Sequence, residues 1–412
     1  MYGVAGDTLV YTATGVWRAD DIWVTRAAPP VLCEAAEGAE AFLPSAGVVR
    51  CGRCAVARVG TREGYAVRAT LDQGLFSEER GWVPLADLRP GEPVRVMRRG
   101  GAFGPAGGPA EGHVLGWLLA SGHLTRDRAV LRFEGGARDG IALLLAAEVN
   151  AVIRPGRSRP QVAVGLVEAR GGGAVTVSSS RLREFAVHAG VDGASCPVPA
   201  SVWQGARALQ HAFLQALFEA RASVSSVGPR AGVHLVASCY PQLLLDVQRL
   251  LLNFGLYSRV TAHRAATDGD GLSGEARDRH ARARAHARPG VGRVAPEPLA
   301  AVPVLRCGGA RRTSERASHR LTLTGGSARR FPDAVGFLGE GKQRELREFA
   351  HSFSRRPYRE RFVAHVETVQ RDGAAWVYGV RAPGGFVANG LLAAAPSGAG
   401  AHEGPAGLRA GG

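Results

Sequence analysis

The chain has 412 residues, a formal net charge of +15 at neutral pH and an apolar fraction of 45%. This length accommodates two domains, and the apolar fraction is typical of a chain that folds. No apolar run reaches the roughly 18 residues of a membrane span. The N-terminus lacks a signal-peptide pattern, and the six cysteines form no regular disulfide framework. The sequence therefore predicts a cytoplasmic protein in a reducing compartment, and no membrane partner.

The positive charge is concentrated in the middle of the chain. Residues 1–98 carry 11 Arg against 12 acidic side chains, and residues 351–412 carry 7 Arg against 4 acidic side chains. Residues 99–350 carry 33 basic against 20 acidic side chains, a net charge of +13. A general arginine bias would be spread over all three segments. The middle segment therefore indicates a polyanion-binding domain.

The front of the chain predicts short β-strands. Alternating segments such as residues 8–14, 65–70 and 93–97 are broken by Gly, Pro and Asp. Trp82 in this part, and Trp117 further on, lie in apolar patterns and are predicted to be in the core. The Gly/Pro/Ala-rich segment 99–112 predicts a linker.

From His113 the pattern changes to helices and strands, with a weak internal repeat. The segments VLGWLLASG (114–122) and LQALFEARA (214–222) start 100 residues apart. Each has small residues four apart, which line one face of a helix and allow two helices to approach closely. Residues 242–254 predict an amphipathic helix that ends before a glycine.

The rest of the chain is predicted to form a loop, further strands and a disordered C-terminal tail. Residues 265–300 are rich in Ala, Arg, Gly and Pro without apolar periodicity, and predict a mobile basic loop. Strands return near residues 361–368. The Gly/Ala-rich tail, 397–412, is predicted to be disordered.

Blocks at the two ends of the chain carry a family resemblance. The blocks are GDTLV (6–10), GYAVRAT (64–70), GWVPLADL (81–88), VYGV (377–380) and FVANG (386–390). In order and spacing they resemble the split splicing domain (Hint domain) of inteins. The resemblance covers residues 3–98 and about 361–396. It implies an all-β horseshoe, self-catalysed protein splicing, and the flanking host segments (exteins) as partners.

The resemblance also places the splicing groups, and most are replaced. Splicing uses a nucleophile at each junction, a Thr-x-x-His motif, a late acid and a cyclising Asn. The corresponding positions are Gly3, Thr70, Asp72, Gln73, Gly379, Ala394, Ala395 and Pro396. Only Thr70 and Asp72 keep polar character at this site, because Gln73 can hydrogen-bond but does not act as an acid or base near neutral pH. We predict that no splicing occurs, with drift or deliberate alanine replacement as alternative origins.

The repeat, together with VPASV (198–202), residues 246–259, GFL (336–338) and Lys342-Gln343, resembles the LAGLIDADG (DOD-type) homing endonucleases over about residues 113–345. The similarity is greatest to inteins of vitamin B12-dependent ribonucleotide reductases. Together the two resemblances imply an α+β multi-domain fold, a split all-β Hint horseshoe plus a pseudo-two-fold α/β LAGLIDADG domain. The predicted divisions are 1–98, linker 99–112, 113–350, 351–396 and tail 397–412.

By this resemblance, two repeat helices each supply one acid to Mg²⁺ between the scissile phosphates of double-stranded DNA. Here Ser121 and Arg221 stand at the acid positions, Glu219 is a weak substitute, and productive Mg²⁺ binding is not expected. Phosphate contacts are predicted for Arg126, Arg128, Arg132, Arg154, Arg157 and Arg159. The chain is expected to be a monomer. Three functions stay open: an inert relic, a DNA-binding module without catalysis, and an enzyme with relocated metal ligands.

Overall fold

The computed structural model describes residues 2–34, 39–137, 140–153, 164–169, 173–191, 197–225, 231–237, 241–263, 318–352 and 361–395. Several predicted features lie outside these residues: Arg154, Arg157, Arg159, the basic loop 265–300, Pro396 and the tail 397–412. Within the described ranges, no helix has the length and apolar character to cross a membrane.

The front of the chain forms short strands and one helix. They are β1 (Val4–Ala5), β2 (Leu9–Thr12), β3 (Gly15–Arg18), α1 (Ala19–Thr25), β4 (Val31–Glu34), β5 (Glu40–Leu43), β6 (Val48–Thr61), β7 (Ala66–Ala69), β8 (Gly74–Ser77), β9 (Gly81–Pro84) and β10 (Pro93–Arg95). Most strands are short because turn residues interrupt them. Gly15 and Gly81, with φ of 112° and 71°, allow the tight β2–β3 and β8–β9 turns.

The middle of the chain contains the same order of elements twice. The first copy is α2 (Pro109–Ser121), β11 (Gly122–Leu124), β12 (Ala129–Glu134), α3 (Gly140–Ile153), β13 (Val167–Glu168), β14 (Ala174–Ser179) and α4 (Ser180–His188). After α5 (Ala200–Trp203), the second copy is α6 (Arg207–Arg221), β15 (Ala222–Ser225), β16 (Gly232–Ala237), α7 (Pro241–Leu252), β17 (Arg259–His263), β18 (Ser318–Leu323) and α8 (Gly325–Ala334). A final helix, α9 (Glu340–Ser352), follows.

Each copy builds a four-stranded antiparallel sheet with the same strand order, β11-β12-β14-β13 and β15-β16-β18-β17. The internal repeat predicted from two short segments therefore extends to a whole αββαββα unit. Helix α2 begins at Pro109, inside the segment predicted as linker, because a proline is well suited to the first turn of a helix.

The back of the chain completes the front sheet with β19 (Val363–Val380), β20 (Phe386–Ala388) and β21 (Leu391–Ala393). In the described part of the chain, front and back strands together form a thirteen-stranded sheet. Strand β19 pairs antiparallel with β6, β10 and β1. The two ends of the sequence thus fold as one β module around the helical repeats.

Asn389 fastens the back strands to the front strands. It lies in the β20–β21 turn with a φ of 51°, followed by Gly390 at 89°, which is the Asn-Gly pattern of a tight hairpin. Its buried side chain accepts a hydrogen bond from the Leu9 amide (2.8 Å) and donates one to the Ala66 carbonyl (2.9 Å). One side chain therefore links three separate segments of the sheet.

The second repeat is hydrogen-bonded to the β module. The Glu63 carbonyl accepts bonds from Gln248 Nε2 (2.7 Å) and from the Val260 amide (2.8 Å). The Tyr257 hydroxyl donates to the Val363 carbonyl (2.6 Å). These bonds connect α7 and β17 directly to strands and turns of the front and back.

The two tryptophans predicted as core residues have different environments. Trp117 is 2% exposed and stacks on Phe133, with ring centroids 5.0 Å apart. Trp82 is 44% exposed, so its prediction was wrong. It lies on β9, which pairs only with β8 among the described strands, and contacts Phe76 edge-on. An edge strand is covered less completely than the apolar pattern of its sequence suggests.

Replacing Asn389 with Ala should destabilise the β module by about 2–4 kcal/mol, because the Leu9 amide and Ala66 carbonyl would be left buried without partners. Asn389→Gly should lose the same bonds but tolerate the positive φ, so it should be less destabilising than Asn389→Ala. Urea unfolding and hydrogen exchange of the Leu9 amide measure both effects. The exposed Gln370→Ala is the control, and equal effects of Asn389→Ala and this control would contradict the assignment.

Candidate functional site

Strand pairing brings the predicted splicing positions of the two ends together. Val4 pairs with Tyr378 and with Ala69, and Ala393 pairs with Leu75. As a result Gly3, Thr70, Gln73 and Ala394, which flank these strands, meet at one end of the sheet. Gly379 is buried beside Tyr378 in β19, and Ala395 packs partly buried against the core.

Thr70 is bonded to the backbone of Gly3. The Gly3 amide donates to Thr70 Oγ1 (3.2 Å), and this hydroxyl lies 3.3 Å from the Gly3 carbonyl. The Thr70 amide also donates to the Gly3 carbonyl (3.0 Å). Asp72 is exposed in the adjacent turn. Partial desolvation acts to raise the pKa of Asp72, but hydrogen bonds, including one with Thr70, lower it below its ordinary value.

Gln73 bridges the front and back of the chain. Its side chain is 1% exposed, and Nε2 donates to the carbonyl oxygens of Ala394 (2.8 Å) and Gly74 (3.1 Å). The Ala394 amide in turn donates to the Gly74 carbonyl (2.9 Å). The amide of Gln73 thus holds β21 against β8, which is a structural role that a neutral hydrogen-bonding group can fill.

The space for a side chain at position 3 is occupied by the neighbouring strand. A Cβ atom on Gly3 would lie 2.6 Å from the Tyr378 carbonyl oxygen and 2.8 Å from Val377 Cγ1. A cysteine or serine at this position would therefore require β1 and β19 to separate. Gly3, at the first predicted splicing position, provides no nucleophile, and β19 packs too closely against it to leave space for a side chain.

In the helical repeats, α2 and α6 pack at very short distance. A Cβ on Gly112 would lie 2.2 Å from the Leu209 carbonyl oxygen, and one on Gly116 would lie 2.2 Å from that of Phe213. The close approach predicted from small residues four apart is confirmed at Gly116, which also faces Ala216. Only glycine permits backbone contact at these distances.

The ends of these two helices bring the predicted acid positions near each other. Ser121 ends α2 and Arg221 ends α6, and each helix continues directly into the first strand of its sheet. Arg221 Nε donates to the Ala120 carbonyl of the opposite helix (2.5 Å). The arginine therefore crosses the helix pair at the point where the two sheets begin.

Glu219 is committed to other contacts. Its side chain is 6% exposed and accepts a hydrogen bond from the Gly339 amide (2.9 Å). Lys342 Nζ lies 3.7 Å from Glu219 Oε1 and also bonds the Ala222 carbonyl (3.3 Å). Sequence patterns could not reveal these partners, because they are about 120 residues away.

The donor set at the helix ends does not fit Mg²⁺. This ion prefers carboxylate and water oxygens in octahedral geometry. The helix ends offer a serine hydroxyl and a guanidinium, and the carboxylate of Glu219 is bonded to Gly339 and Lys342. The cationic side chains of Arg221 and Lys342, both at the end of α6, also repel a divalent cation. The described residues at the helix ends therefore do not form a Mg²⁺ site.

The first sheet places its predicted DNA-contacting arginines at an edge and on one face. Arg126 and Arg128 are exposed in the β11–β12 turn. Arg132 is exposed on β12, on the face opposite the buried Leu131 and Phe133. Its guanidinium is already paired with Glu134 (2.6 Å). The free positive charge of this sheet is therefore mainly at the turn.

The second sheet presents basic residues that the sequence analysis did not identify. Register pairs Arg259 with Thr322 and Thr261 with Arg320, on the face opposite the buried Val260 and Leu321. The signal was present in the sequence, since Arg and Thr alternate in both strands with the period of two that a half-buried strand shows.

A cavity continues this face towards the β module. Its volume is about 940 Å³, and Arg98, Arg259 and Arg361 are among its lining residues, together with Glu78 and Glu79. Arg259 thus lies both on the Arg/Thr face of the second sheet and in the cavity between this sheet and the β module.

The second repeat belongs to a known class of domain. Residues 208–336 match the family model described as a LAGLIDADG-like domain. This range begins in α6 and ends just after α8, so it covers the second repeat. The prediction of a LAGLIDADG-like domain and of an α+β fold is confirmed.

The chain is also similar to curated proteins named as the A subunit of DNA gyrase. It is 30% identical to the one from Mycobacterium gordonae over 227 residues, 50% of this chain and 39% of that protein. It is 31% identical to the one from Mycobacterium malmoense over 220 residues, 50% of this chain and 45% of that protein. The chain spans less than half the length of these relatives. The similarity to ribonucleotide reductase inteins stays a prediction.

Solved structures show weaker similarity. A DnaB intein from Synechocystis sp. PCC 6803 is 19% identical, with a TM-score of 0.21, over 23% of this chain and 69% of that one. A variant of I-DmoI bound to its target DNA is 15% identical, with a TM-score of 0.28, over 52% of this chain and 87% of that one.

Replacing Gly116 with Ala should destabilise the helix pair by about 1–3 kcal/mol, because the new Cβ would meet the Phe213 carbonyl and force α2 and α6 apart. Thermal unfolding of the full chain measures the effect. Gly140→Ala on α3 is the matched control, since a Cβ there meets nothing within 4 Å and alanine favours a helix. A Gly116→Ala variant as stable as this control would contradict the close packing.

Proposed function

We propose that this chain is an intein-like protein that neither splices nor cleaves, and that its LAGLIDADG-like domain binds double-stranded DNA. The observation that carries the binding proposal is the composition of the second sheet. Its four strands, β15 to β18, contain no acidic residue, and their two arginines, Arg259 and Arg320, share one face with Ser223, His234 and Thr322. A sheet face of hydroxyl, imidazole and guanidinium groups suits the phosphate backbone.

The charge distribution of the chain supports the same proposal. The segment 99–350 carries a net charge of +13, whereas residues 1–98 carry 11 Arg against 12 acidic side chains. On the second sheet the cross-strand row Ser223, His234, Thr322 and Arg259 shares one face. Binding of this kind depends mainly on counterion release, so it should be strongly weakened by salt.

The proposed loss of cleavage follows from the helix ends. Hydrolysis by this family, as the resemblance implies, requires carboxylates at the positions of Ser121 and Arg221. Here one is a hydroxyl and the other a cation bonded to the opposite helix. The proposed loss of splicing follows from Gly3, which has no side chain and no room for one, and from Gln73, which is used as a strand link.

We also propose a split β module at 1–98 and 351–396 around an inserted domain that ends at about residue 350; this domain was predicted to start at residue 113, but α2 moves its start to Pro109. A monomer suffices for this function, because the internal repeat supplies both halves of the proposed DNA-binding surface within one chain.

Replacing Arg259 and Arg320 together with Gln should weaken binding to duplex DNA and lower the slope of log K against log salt by up to about 2, since each lost phosphate contact removes about 0.9. Fluorescence anisotropy over a salt series in EDTA, with a pool of duplexes, measures both quantities.

The matched control for this variant is Arg344→Gln with Arg347→Gln. These two arginines are exposed on α9, and removing them changes the net charge by the same amount. The proposal requires the control to bind as the unchanged chain does. If the unchanged chain fails to bind at low salt, the DNA-binding proposal is wrong and an inert relic remains.

A fusion protein that carries this chain between two foreign segments should keep the mass of the unspliced precursor, because no nucleophile is present at either junction. Gly3→Cys should also fail to splice, since its side chain would meet Tyr378 and the cyclising position holds Ala395. Intact-protein mass spectrometry tests both fusions, and incubation of supercoiled DNA with Mg²⁺ tests for nicking. A ligated product or a nicked plasmid would refute the corresponding loss.

A further inference from the structure

Arg221 lies where the two repeats meet. It is the last residue of α6, which continues directly into β15, just as α2 continues directly into β11. Each of these strands is the first strand of a four-stranded sheet. The bond from Arg221 Nε to the Ala120 carbonyl, 2.5 Å long, shows that the two helix ends are in contact. The guanidinium therefore lies at the junction of the two helix ends, where the first strand of each sheet begins.

Most of the donors of this guanidinium are unused. An arginine side chain has five N–H groups, and Nε supplies only one of them. The Arg221 side chain is partly exposed, and no described residue forms an ion pair with it or accepts a hydrogen bond from either terminal nitrogen. The bond of Nε fixes the orientation of the group and leaves a planar fork, the geometry that fits two oxygens of a phosphate.

The surrounding charges keep this fork available. The carboxylate of Glu219, two residues earlier on the same helix, is bonded to Gly339 and lies 3.7 Å from Lys342 Nζ. Lys342 also bonds the Ala222 carbonyl just after α6. Two cationic side chains, Arg221 of α6 and Lys342 of α9, thus lie at the C-terminal end of α6, where positive charge is favourable. The carboxylate of Glu219 is paired with Lys342 and not with Arg221, so the terminal nitrogens of Arg221 can bind a ligand.

We propose that Arg221 binds a phosphodiester group of duplex DNA at the centre of the surface formed by the two sheets, and that this contact requires no divalent cation. The inference rests on the proposed DNA binding and goes beyond it by assigning the central contact to one residue. The guanidinium donates from its two terminal nitrogens to the non-bridging oxygens of one phosphate. No bond is broken, so the contact holds DNA without cleaving it.

A salt titration of DNA binding tests this assignment. Fluorescence anisotropy with a pool of short fluorescent duplexes is measured in EDTA for the unchanged chain, Arg221→Gln, Arg221→Lys and Arg344→Gln. Arg221→Gln should lower the slope of log K against log salt by about 0.9, the value for one phosphate contact. Arg221→Lys keeps the charge and should retain most of the slope, and the exposed Arg344→Gln should leave it unchanged.

A second measurement uses the unchanged chain and does not depend on the folding of a variant. A dicarbonyl reagent modifies arginine side chains, and mass spectrometry resolves the modified positions. With duplex DNA present, Arg221 should be protected from modification and Arg344 should not. A purely structural role in capping α2 would give equal modification of Arg221 with and without DNA.

The outcomes separate the two proposals. Binding by the unchanged chain, with a reduced slope in Arg221→Gln and protection of Arg221, supports both. Binding with an unchanged slope and no protection overturns the role of Arg221 and leaves the DNA-binding function in place. Absence of binding by the unchanged chain at low salt overturns both.

Discussion

The pairing of β19 with β6 is the interaction on which the rest of the structure depends. It joins strands from opposite ends of the sequence, and β19 also pairs with β10 and β1. The pairings of β1 with β7 and of β21 with β8 bring Gly3, Thr70, Gln73 and Ala394 together at one end of the same sheet. The same strand carries Val363, whose carbonyl accepts the Tyr257 hydroxyl of the second repeat. Closure of the β module therefore also completes the attachment of the inserted repeats.

At both candidate sites, a side chain at a predicted catalytic position serves as a structural link. Gln73 holds β21 to β8, and Arg221 holds the end of α6 to that of α2. The buried amide of Gln73 makes two hydrogen bonds, and a satisfied buried polar group of this kind stabilises the fold. The proposed DNA-binding surface is different in kind. It depends on charge spread over many side chains, so the loss of any one of them should weaken binding without abolishing it.

The sequence predicted the architecture well, since strand alternation, small-residue spacing and ordered blocks are local signals. Small-residue spacing identified the α2–α6 contact through Gly116. Prediction failed where partners are distant in sequence. Trp82 has the pattern of a core residue but lies on an edge strand, and the link between Glu219 and Lys342 depends on tertiary placement. The face shared by Arg259 and Arg320 had a visible signal in the alternation with Thr, but only strand register shows that the two arginines lie on the same face.

The long sequence separation between β6 and β19 imposes an order on folding during synthesis. Glu63 and His365, which bond across the β6–β19 region, are 302 residues apart in the sequence. At about 5–20 residues per second, the front strands leave the ribosome about 15 to 60 s before their partner strand exists. During that time β6 has an unsatisfied edge, and exposed edges promote aggregation. The inserted repeats, whose contacts are more local, have time to fold first and can cover Glu63 and Tyr65 until β19 arrives.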